Sequence, residues 1–417
     1  MKVVIMAGGT GERIRKHFPN IPKAMIKIGE KTVIEYQIEV LIRNGFKDII
    51  IVTGYKGEII QKYISKKRMD ANIMFFHEKQ LLGTAGSLWS MKDQFVEDFL
   101  LINGDIIFDI DLSKVVEMHG KKKALATIVV HPNDHPFDSE LIVADKVGKV
   151  TEWVGKKENT GWHKNIVNAG IHILSKDILK EFSYIGKVNL DNDILKKLIH
   201  KERLYAYRTI EYIKDIGTIE RLNEVKEDIC NDIVQKRRMD FRKKAVFLDR
   251  DGTINKKIDF LCKIEEFKLI NGISDFINYV HKKGYLVIVV TNQSVIARGM
   301  TSWEELIAIH NKMETLLGRG GAYIDDIFVC PHHPNKGFIG EIKKYKIDCD
   351  CRKPKGGMLL EAAQKYNIDL EKSWMIGDSY TDIEAGKSVN AKTYLLNNKN
   401  DIVRWNEIID EMEEEYM

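Results

Sequence analysis

Short runs rich in Val, Ile, Leu and Phe recur along this chain, at residues 3–7, 49–53, 73–76, 99–102 and 125–130, with helical patterns such as 33–43 and 114–119 between some of them. Alternation of this kind calls for a largely parallel sheet covered by helices. The alternation stops once. Residues 220–244 turn polar and end in Lys236-Arg237-Arg238-Met239-Asp240-Phe241-Arg242-Lys243-Lys244, after which strand-like runs resume at 245–248, 286–290, 327–329, 374–376 and 393–396. A break followed by a restart means two α/β domains, and 417 residues suits two or three.

The basic run could meet nucleic acid, but 65 Lys and Arg against 61 Asp and Glu leave only +4 over the chain, and a solvated interdomain helix is the simpler reading. Anionic small substrates fit that balance. The first apolar run is too short for a signal-peptide core and no later stretch approaches ~18 apolar residues, so a cytoplasmic location is expected. Of five cysteines, three fall between Cys330 and Cys351 near histidines, which suits a metal better than a secreted disulfide framework. Cys230 and Cys262 stand apart. Asp410, Glu411, Glu413, Glu414 and Glu415 read as the solvated end of a terminal helix.

Directly after the first strand stands Ala7-Gly8-Gly9-Thr10-Gly11-Glu12-Arg13. Gly8, Gly9 and Gly11 let backbone N–H groups approach a phosphate chain, and Arg13 can neutralise it. The third glycine of a dinucleotide fingerprint is replaced by Ile14, and no G-x-x-x-x-G-K-[ST] occurs. Lys23, after Pro22, supplies a second cation, and Leu82-Gly83-Thr84-Ala85-Gly86 a second small-residue turn fit for close approach of a base. Asp105, after the strand at 99–102, and Asp215 offer the carboxylates that Mg²⁺ on a triphosphate requires.

The ordered series Gly8-Gly9-x-Gly11-x-Arg13, Pro22-Lys23, Leu82-Gly83-Thr84-Ala85, Gly104-Asp105, Asn168-Ala169-Gly170 and Asp215-x-Gly217-Thr218 resembles the sugar-1-phosphate nucleotidyltransferases from Met1 to about Leu222. The resemblance implies that the glycine loop, Arg13 and Lys23 hold a triphosphate. It also implies that Gly83 contacts the base, with Thr84 beside it as a substrate-binding residue, that Asn168 and Gly170 meet the sugar, and that Asp105 and Asp215 bind magnesium. Where the family carries a Glu-Lys pair, this chain reads Trp153-Val154-Gly155-Lys156, so Lys156 is either a sugar-phosphate contact or a surface lysine. The segment His131-Pro132-Asn133-Asp134-His135-Pro136-Phe137-Asp138-Ser139 looks like the heptose and related guanylyltransferase branch. A zinc site from His131 and His135 would lack further evident ligands.

In the second half, the strand at 245–248 runs into Asp249-Arg250-Asp251-Gly252-Thr253, and residues two apart on extended chain project to one side. One carboxylate can attack phosphorus while the other protonates the leaving oxygen. Thr291-Asn292 at a strand end, Arg352-Lys353-Pro354 and Gly377-Asp378 add a hydroxyl, cations and a Mg²⁺ carboxylate. Cys330-Pro331-His332-His333-Pro334 and Cys349-Asp350-Cys351 form C-x-H and C-x-C pairs separated by residues 333–348, enough chain to close a Cys₃His zinc tetrahedron. His333 falls outside it.

Residues 244–396 resemble the haloacid-dehalogenase phosphatases. That implies Asp249 as nucleophile, Asp251 as acid/base, and Thr291, Asn292, Arg352 and Lys353 toward substrate. Asp249, Asp378 and the Asp251 carbonyl would hold Mg²⁺, with Asp382 in support or in a helix-start role. The zinc loop of Cys330, His332, Cys349 and Cys351 narrows the resemblance to the heptose bisphosphate and histidinol phosphate phosphatases. Together these likenesses imply an α/β chain of two domains. The first is an N-terminal Rossmann-like nucleotidyltransferase domain (1–225), followed by a linker helix (226–243). The second is a C-terminal haloacid-dehalogenase Rossmann-like domain with a zinc loop (244–417).

The implied enzyme is bifunctional. It removes the 7-phosphate of D-glycero-D-manno-heptose 1,7-bisphosphate and transfers GMP from GTP to the heptose 1-phosphate, giving GDP-heptose and pyrophosphate, with Mg²⁺ in both domains and structural Zn²⁺ in the second. The alternative is a histidinol-phosphate-type phosphatase fused to a transferase for another sugar. Expected partners are GTP and phosphorylated heptoses, without nucleic acid or membrane, and homo-oligomerisation is compatible with the sequence.

Overall fold

In the computed structural model, residues 1–9, 11–156, 158, 160–337, 339–397 and 400–414 are described, and they divide into two units. Thr10 of the glycine loop and Glu415 of the acidic tail lie outside the described residues. The first unit comprises 1–131, 142–154 and 167–238, the second 132–141, 155–166 and 239–417.

The first unit contains β1 (Val3–Ala7), β2 (Lys27–Ile28), β3 (Lys31–Thr32), β4 (Asp48–Thr53), β5 (Asn72–His77), β6 (Phe99–Asn103), β7 (Ile106–Asp109), β8 (Ala126–His131), β9 (Leu141–Ala144, whose first residue is assigned to the second unit), β10 (Val150–Val154), β11 (Val167–Leu174), β12 (Leu204–Arg208) and β13 (Tyr212–Asp215). The main sheet runs β10-β9-β11-β6-β1-β4-β5, with β8 on β11 and β12 on β8. In its parallel part Ile5 faces Ile51 on one side and Ile102 on the other, all three fully buried. Strands covered on both faces read as unbroken apolar runs, which is why these were plain in the sequence.

The sheet is mixed, a correction to the largely parallel expectation, because β11 runs antiparallel to both β6 and β8. Among the described residues no α-helix lies between β8 and β11, and without a crossover helix neighbouring strands can return antiparallel. Helix Val33–Arg43 opens on a capping box in which the Thr32 amide donates to Glu35 at 2.7 Å, and its buried face carries Ile34, Ile38 and Leu41. A cap of this kind contributes about 1 kcal/mol.

The expected linker helix at 226–243 is two helices instead. Ile219–Cys230 ends at Asn231, Asp232 turns left-handed at φ 58°, Ile233–Lys236 follows, and the unit boundary falls after Arg238. Asp is one of the few side chains that tolerate that backbone region.

The second unit holds β14 (Lys244–Leu248), β15 (Tyr285–Asn292), β16 (Asp326–Cys330), β17 (Trp374–Gly377) and β18 (Lys392–Leu395), all parallel in the order β16-β15-β14-β17-β18. Strand order reverses at β14, so a crevice opens at its carboxyl end. Helix Asp401–Glu414 is anchored by Trp405, stacked on Phe276 with ring centroids 4.7 Å apart.

Segments 132–141 and 155–166 belong to this unit although they precede its first strand. The His163 amide donates to Thr315 Oγ1 at 2.9 Å and the Asn165 amide to Glu314 at 2.6 Å, both on helix Trp303–Arg319. Such polar docking has no hydrophobic period to reveal it. Among the described residues no helix is long and apolar enough to cross a membrane.

Candidate active sites

In the first unit the carboxyl end of β1 leads into Gly8 and Gly9, and Gly11 at φ 58° begins helix Glu12–Arg15. A Cβ at Gly8 would lie 2.7 Å from Glu78 Oε2, so only glycine lets the loop pass this carboxylate. Glu78 is buried just beyond β5, and burial raises its carboxyl pKa against the lowering effects of Ser87 and His77. Sequence reasoning gave it no role, since a single Glu after a strand looks like a surface residue.

Lys23 sits at the start of a short 3₁₀ turn after Pro22, with its Nζ 2.7 Å from Asp105 Oδ2. Asp105 lies between β6 and β7. Antiparallel pairing of β13 with β7 sets Asp215 opposite Ile106, so the two candidate metal carboxylates share one sheet end. Asp215 accepts from Arg221 Nη1 at 3.1 and 3.0 Å and from the Gly217 amide at 2.7 Å. A side chain on Gly217 would start 2.9 Å from Arg13 Nη2, which places that guanidinium beside the same carboxylate. Cations and carboxylates thus converge. Both acids are partnered by protein cations that a nucleotide-bound dication could replace.

Around them, Gly170 at φ 74° occupies an irregularity of β11, where a Cβ would strike Asn103 Nδ2 at 2.5 Å. Asn168 accepts at Oδ1 from the Gly170 amide and donates from Nδ2 to Asp191, each at 3.3 Å. Gly83 at φ 80° packs against the Val188 carbonyl, and the Thr84 hydroxyl accepts the Leu190 amide at 2.8 Å. Thr84 therefore helps to hold the loop wall. Lys156 falls in the 155–166 segment of the second unit, half exposed and 3.4 Å from Asp138.

In the second unit Asp249 follows β14 at the point where strand order reverses. Its Oδ1 is 2.6 Å from Lys353 Nζ, which also lies 2.6 Å from Asp382 Oδ1 and donates to the Val290 carbonyl. Asp249, Asp378 and Asp382 can each point one oxygen into a common space suited to a metal. Burial pushes Asp249 up to about 7, with Lys353 opposing and the neighbouring Asp382 and Asp251 reinforcing the rise. Lys353 is itself raised, because the two carboxylates outweigh the lowering effect of burial. A hard dication fits this donor set: two of the three carboxylates, Asp249 and Asp382, share the buried Lys353 ammonium, and the third, Asp378, is met by Lys257 from an exposed position at 2.8 Å.

The Asp251 side chain is not part of that group. It is held by Arg250 Nη2 at 2.9 and 2.7 Å, Gln293 Nε2 at 2.9 Å and Asn255 Nδ2 at 3.0 Å. Burial would raise its pKa, but Arg250 and these donors hold it below the usual carboxylate value. Gln293 also donates to Thr291 Oγ1 at 2.8 Å, joining the two. Asn292 spends both ends of its amide on the Lys353 main chain. Gln293 and Lys257 were missed in sequence, where nothing distinguishes them from other polar loop residues. Asp382 both caps helix Tyr380–Lys387 and reaches Lys353.

Cys330, His332, Cys349 and Cys351 come together at the end of β16. Cys330 Sγ is 3.6 Å from Cys349 Sγ and 3.8 Å from His332 Nδ1, and Cys351 Sγ is 3.3 Å from both Cys349 Sγ and His332 Nδ1. Tetrahedral ligands at ~2.3 Å would stand about 3.8 Å apart, so these donors form a cage of metal size. Burial and the neighbouring thiols push Cys351 far up, a cost that a bound cation removes by taking thiolates. His333 faces Arg298 at 3.1 Å instead, and Arg352 donates to the His332 carbonyl. His135 pairs with Asp134 and joins no metal group among the described residues.

Residues 2–232 match the family described as Nucleotidyl transferase, and residues 350–401 the one described as HAD-hydrolase-like. The D-glycero-beta-D-manno-heptose-1,7-bisphosphate 7-phosphatase of Haemophilus influenzae is 42% identical over 154 residues, covering 37% of this chain and 80% of that protein. Its namesake in Escherichia coli K12 is 39% identical over 152 residues, 36% of this chain and 78% of the relative. Among solved structures, HddC from Yersinia pseudotuberculosis is 28% identical with a TM-score of 0.49, covering 55% of this chain and 99% of its own.

Proposed function

We propose that this chain, which belongs to the nucleotidyl transferase family through its first half and to the heptose bisphosphate 7-phosphatases through its second, carries out two consecutive steps on one sugar. The second unit hydrolyses the 7-phosphate of D-glycero-D-manno-heptose 1,7-bisphosphate. The first then transfers GMP from GTP to the heptose 1-phosphate, and the enzyme works in the cytoplasm. The observation that carries the reading is the fusion itself: a phosphatase that leaves an anomeric phosphate and a transferase that consumes one share a polypeptide.

In the second unit Asp249 attacks phosphorus, the bond from phosphorus to the sugar oxygen breaks, and Asp251 delivers a proton to that oxygen. Water, losing its proton to Asp251, then attacks the aspartyl phosphate and releases inorganic phosphate. The hold of Arg250 on Asp251 suits the base half, and the negative charge of bound substrate raises the carboxyl for the acid half. Lys353 and Thr291 steady the phosphoryl oxygens. Mg²⁺ held by Asp249, Asp378 and the Asp251 carbonyl would neutralise charge on the phosphoryl group. Zinc in the Cys₃His cage would fix the loop carrying Arg352 and Lys353 and leave no open position for water.

In the first unit an oxygen of the sugar phosphate attacks the α-phosphorus in line and pyrophosphate leaves. The work is positioning and charge neutralisation by Arg13, Lys23 and the glycine-loop amides; Mg²⁺, which Asp105 and Asp215 would hold, would shield charge on the triphosphate.

The test supplies the full chain with Mg²⁺, all four nucleoside triphosphates and, separately, the α and β anomers of heptose 1,7-bisphosphate. Phosphate and GDP-heptose appearing in that order is the expected result. Phosphate without nucleotide sugar from either anomer would remove the heptose transferase reading, and faster phosphate release from histidinol phosphate would reassign the phosphatase.

A further inference from the structure

His172, inside β11, is 1% exposed and pairs with Leu101 and Ile128 on the neighbouring strands, so it carries a polar ring into an apolar part of the sheet. Its Nε2 lies 3.1 Å from Asn168 Oδ1, and its Nδ1 has no hydrogen-bond partner among the described residues. Asn168 Oδ1 also accepts the Gly170 amide, while its Nδ2 faces the carboxylate of Asp191. Both neighbours of Oδ1 must therefore be donors, which requires the Nε2–H tautomer. The other tautomer would bury an unpaired N–H at Nδ1 and aim one acceptor at another. An inverted Asn168 amide would lose the Gly170 bond and turn its oxygen toward the carboxylate.

We propose that His172 is a positioning residue of the transferase site, a buried donor that holds the Asn168 amide with its oxygen on the ring and its NH₂ edge on the Asp191 side, the edge that would meet the sugar. This rests on the reading above in which Asn168 meets the sugar. Burial holds the ring neutral, lowering its pKa to about 3, so the arrangement does not titrate near neutrality. The position within the β11 irregularity matters: between Asn168 and His172 the register with β8 shifts, and that shift brings residues four apart into side-chain contact on a strand. Regular strand geometry would hold them about 13 Å apart.

The test is a double-mutant cycle in the full chain, reading KM separately for D-glycero-D-manno-heptose 1-phosphate and for GTP. His172→Phe is expected to raise the sugar-phosphate KM by about tenfold, the scale of one lost oriented hydrogen bond, with the GTP KM within about twofold. His172→Gln, whose amide can donate at a similar reach, is expected to restore most of it. In an Asn168→Ala background His172→Phe should add nothing. Equal effects on both KM values, or full additivity in the cycle, would overturn the proposal in favour of a packing role. Should His172→Phe not fold, a sugar-phosphate KM for His172→Leu equal to that of His172→Gln would overturn it as well. If Asn168→Ala itself leaves the sugar-phosphate KM unchanged, the failure lies with the reading of Asn168 and the positioning proposal falls with it.

Discussion

Lys353 and Asp382 in the second unit are 2.6 Å apart with side chains 2% and 1% exposed, whereas Lys23 and Asp105 in the first are 2.7 Å apart with side chains 13% and 37% exposed. The distances are nearly equal and the energetics are not. A buried lysine between two carboxylates is committed, because removing it strands charge in a medium that cannot solvate it. The half-solvated pair is worth at most about 1 kcal/mol and can exchange its partner for an incoming phosphate or metal. The second site is built from side chains that are fixed before substrate arrives. The first is built around glycine turns and a cation, Lys23, whose carboxylate partner is 37% exposed and can be exchanged.

The contrast breaks most visibly at the metal cage. Cys349→Ser, or chelation, is expected to cost the second unit on the order of 5 kcal/mol and to release one equivalent of zinc. Calorimetry with metal analysis checks it: a loss confined to one transition supports the contrast, and simultaneous loss of both would erase it. Next in size, Lys353→Met should destabilise the second unit by about 3–5 kcal/mol in addition to ending hydrolysis. An unchanged denaturation midpoint would mean that the buried triad carries no such strain.

Lys23→Met sharpens the other side. Nucleotidyl transfer should fall about 10²-fold while the unfolding free energy moves by less than about 1 kcal/mol. A large stability loss there would make the two sites alike. The smallest effect lies outside both sites, at Glu35, which caps helix Val33–Arg43. Burial would raise its carboxyl, but Lys67, the Thr32 amide and hydroxyl, and Tyr63 bring it down to about 2 from 4.5. A depressed folded-state pKa stabilises above the unfolded value, so Glu35→Gln should cost on the order of 1–3 kcal/mol at neutral pH. The difference from the parent should vanish as pH falls from about 4.5 toward 2. A pH-independent difference in denaturant titrations would assign the effect to packing.

What could be read in the sequence was whatever a local rule encodes. Val3–Ala7 and Lys244–Leu248 stand out because strands buried on both faces are unbroken apolar runs, and the cysteine and histidine spacing brings its own donors together. What escaped depends on distant chain. Glu78 has meaning only beside Gly8, Gln293 only between Asp251 and Thr291, and His172 only once β11 departs from regular register. The 155–166 segment joins the second unit through backbone bonds to Thr315 and Glu314, which leave no trace in composition. Asp232 divides the expected linker helix through a backbone state that the sequence merely permits.

The most direct test of two independent sites acting in order is Asp249→Asn, supplied in parallel with heptose 1,7-bisphosphate and with heptose 1-phosphate, each with GTP and Mg²⁺. The account predicts no phosphate and no nucleotide sugar from the bisphosphate, and GDP-heptose at the parent rate from the monophosphate. GDP-heptose formed from the monophosphate far below the parent rate, or phosphate still released from the bisphosphate, would contradict it.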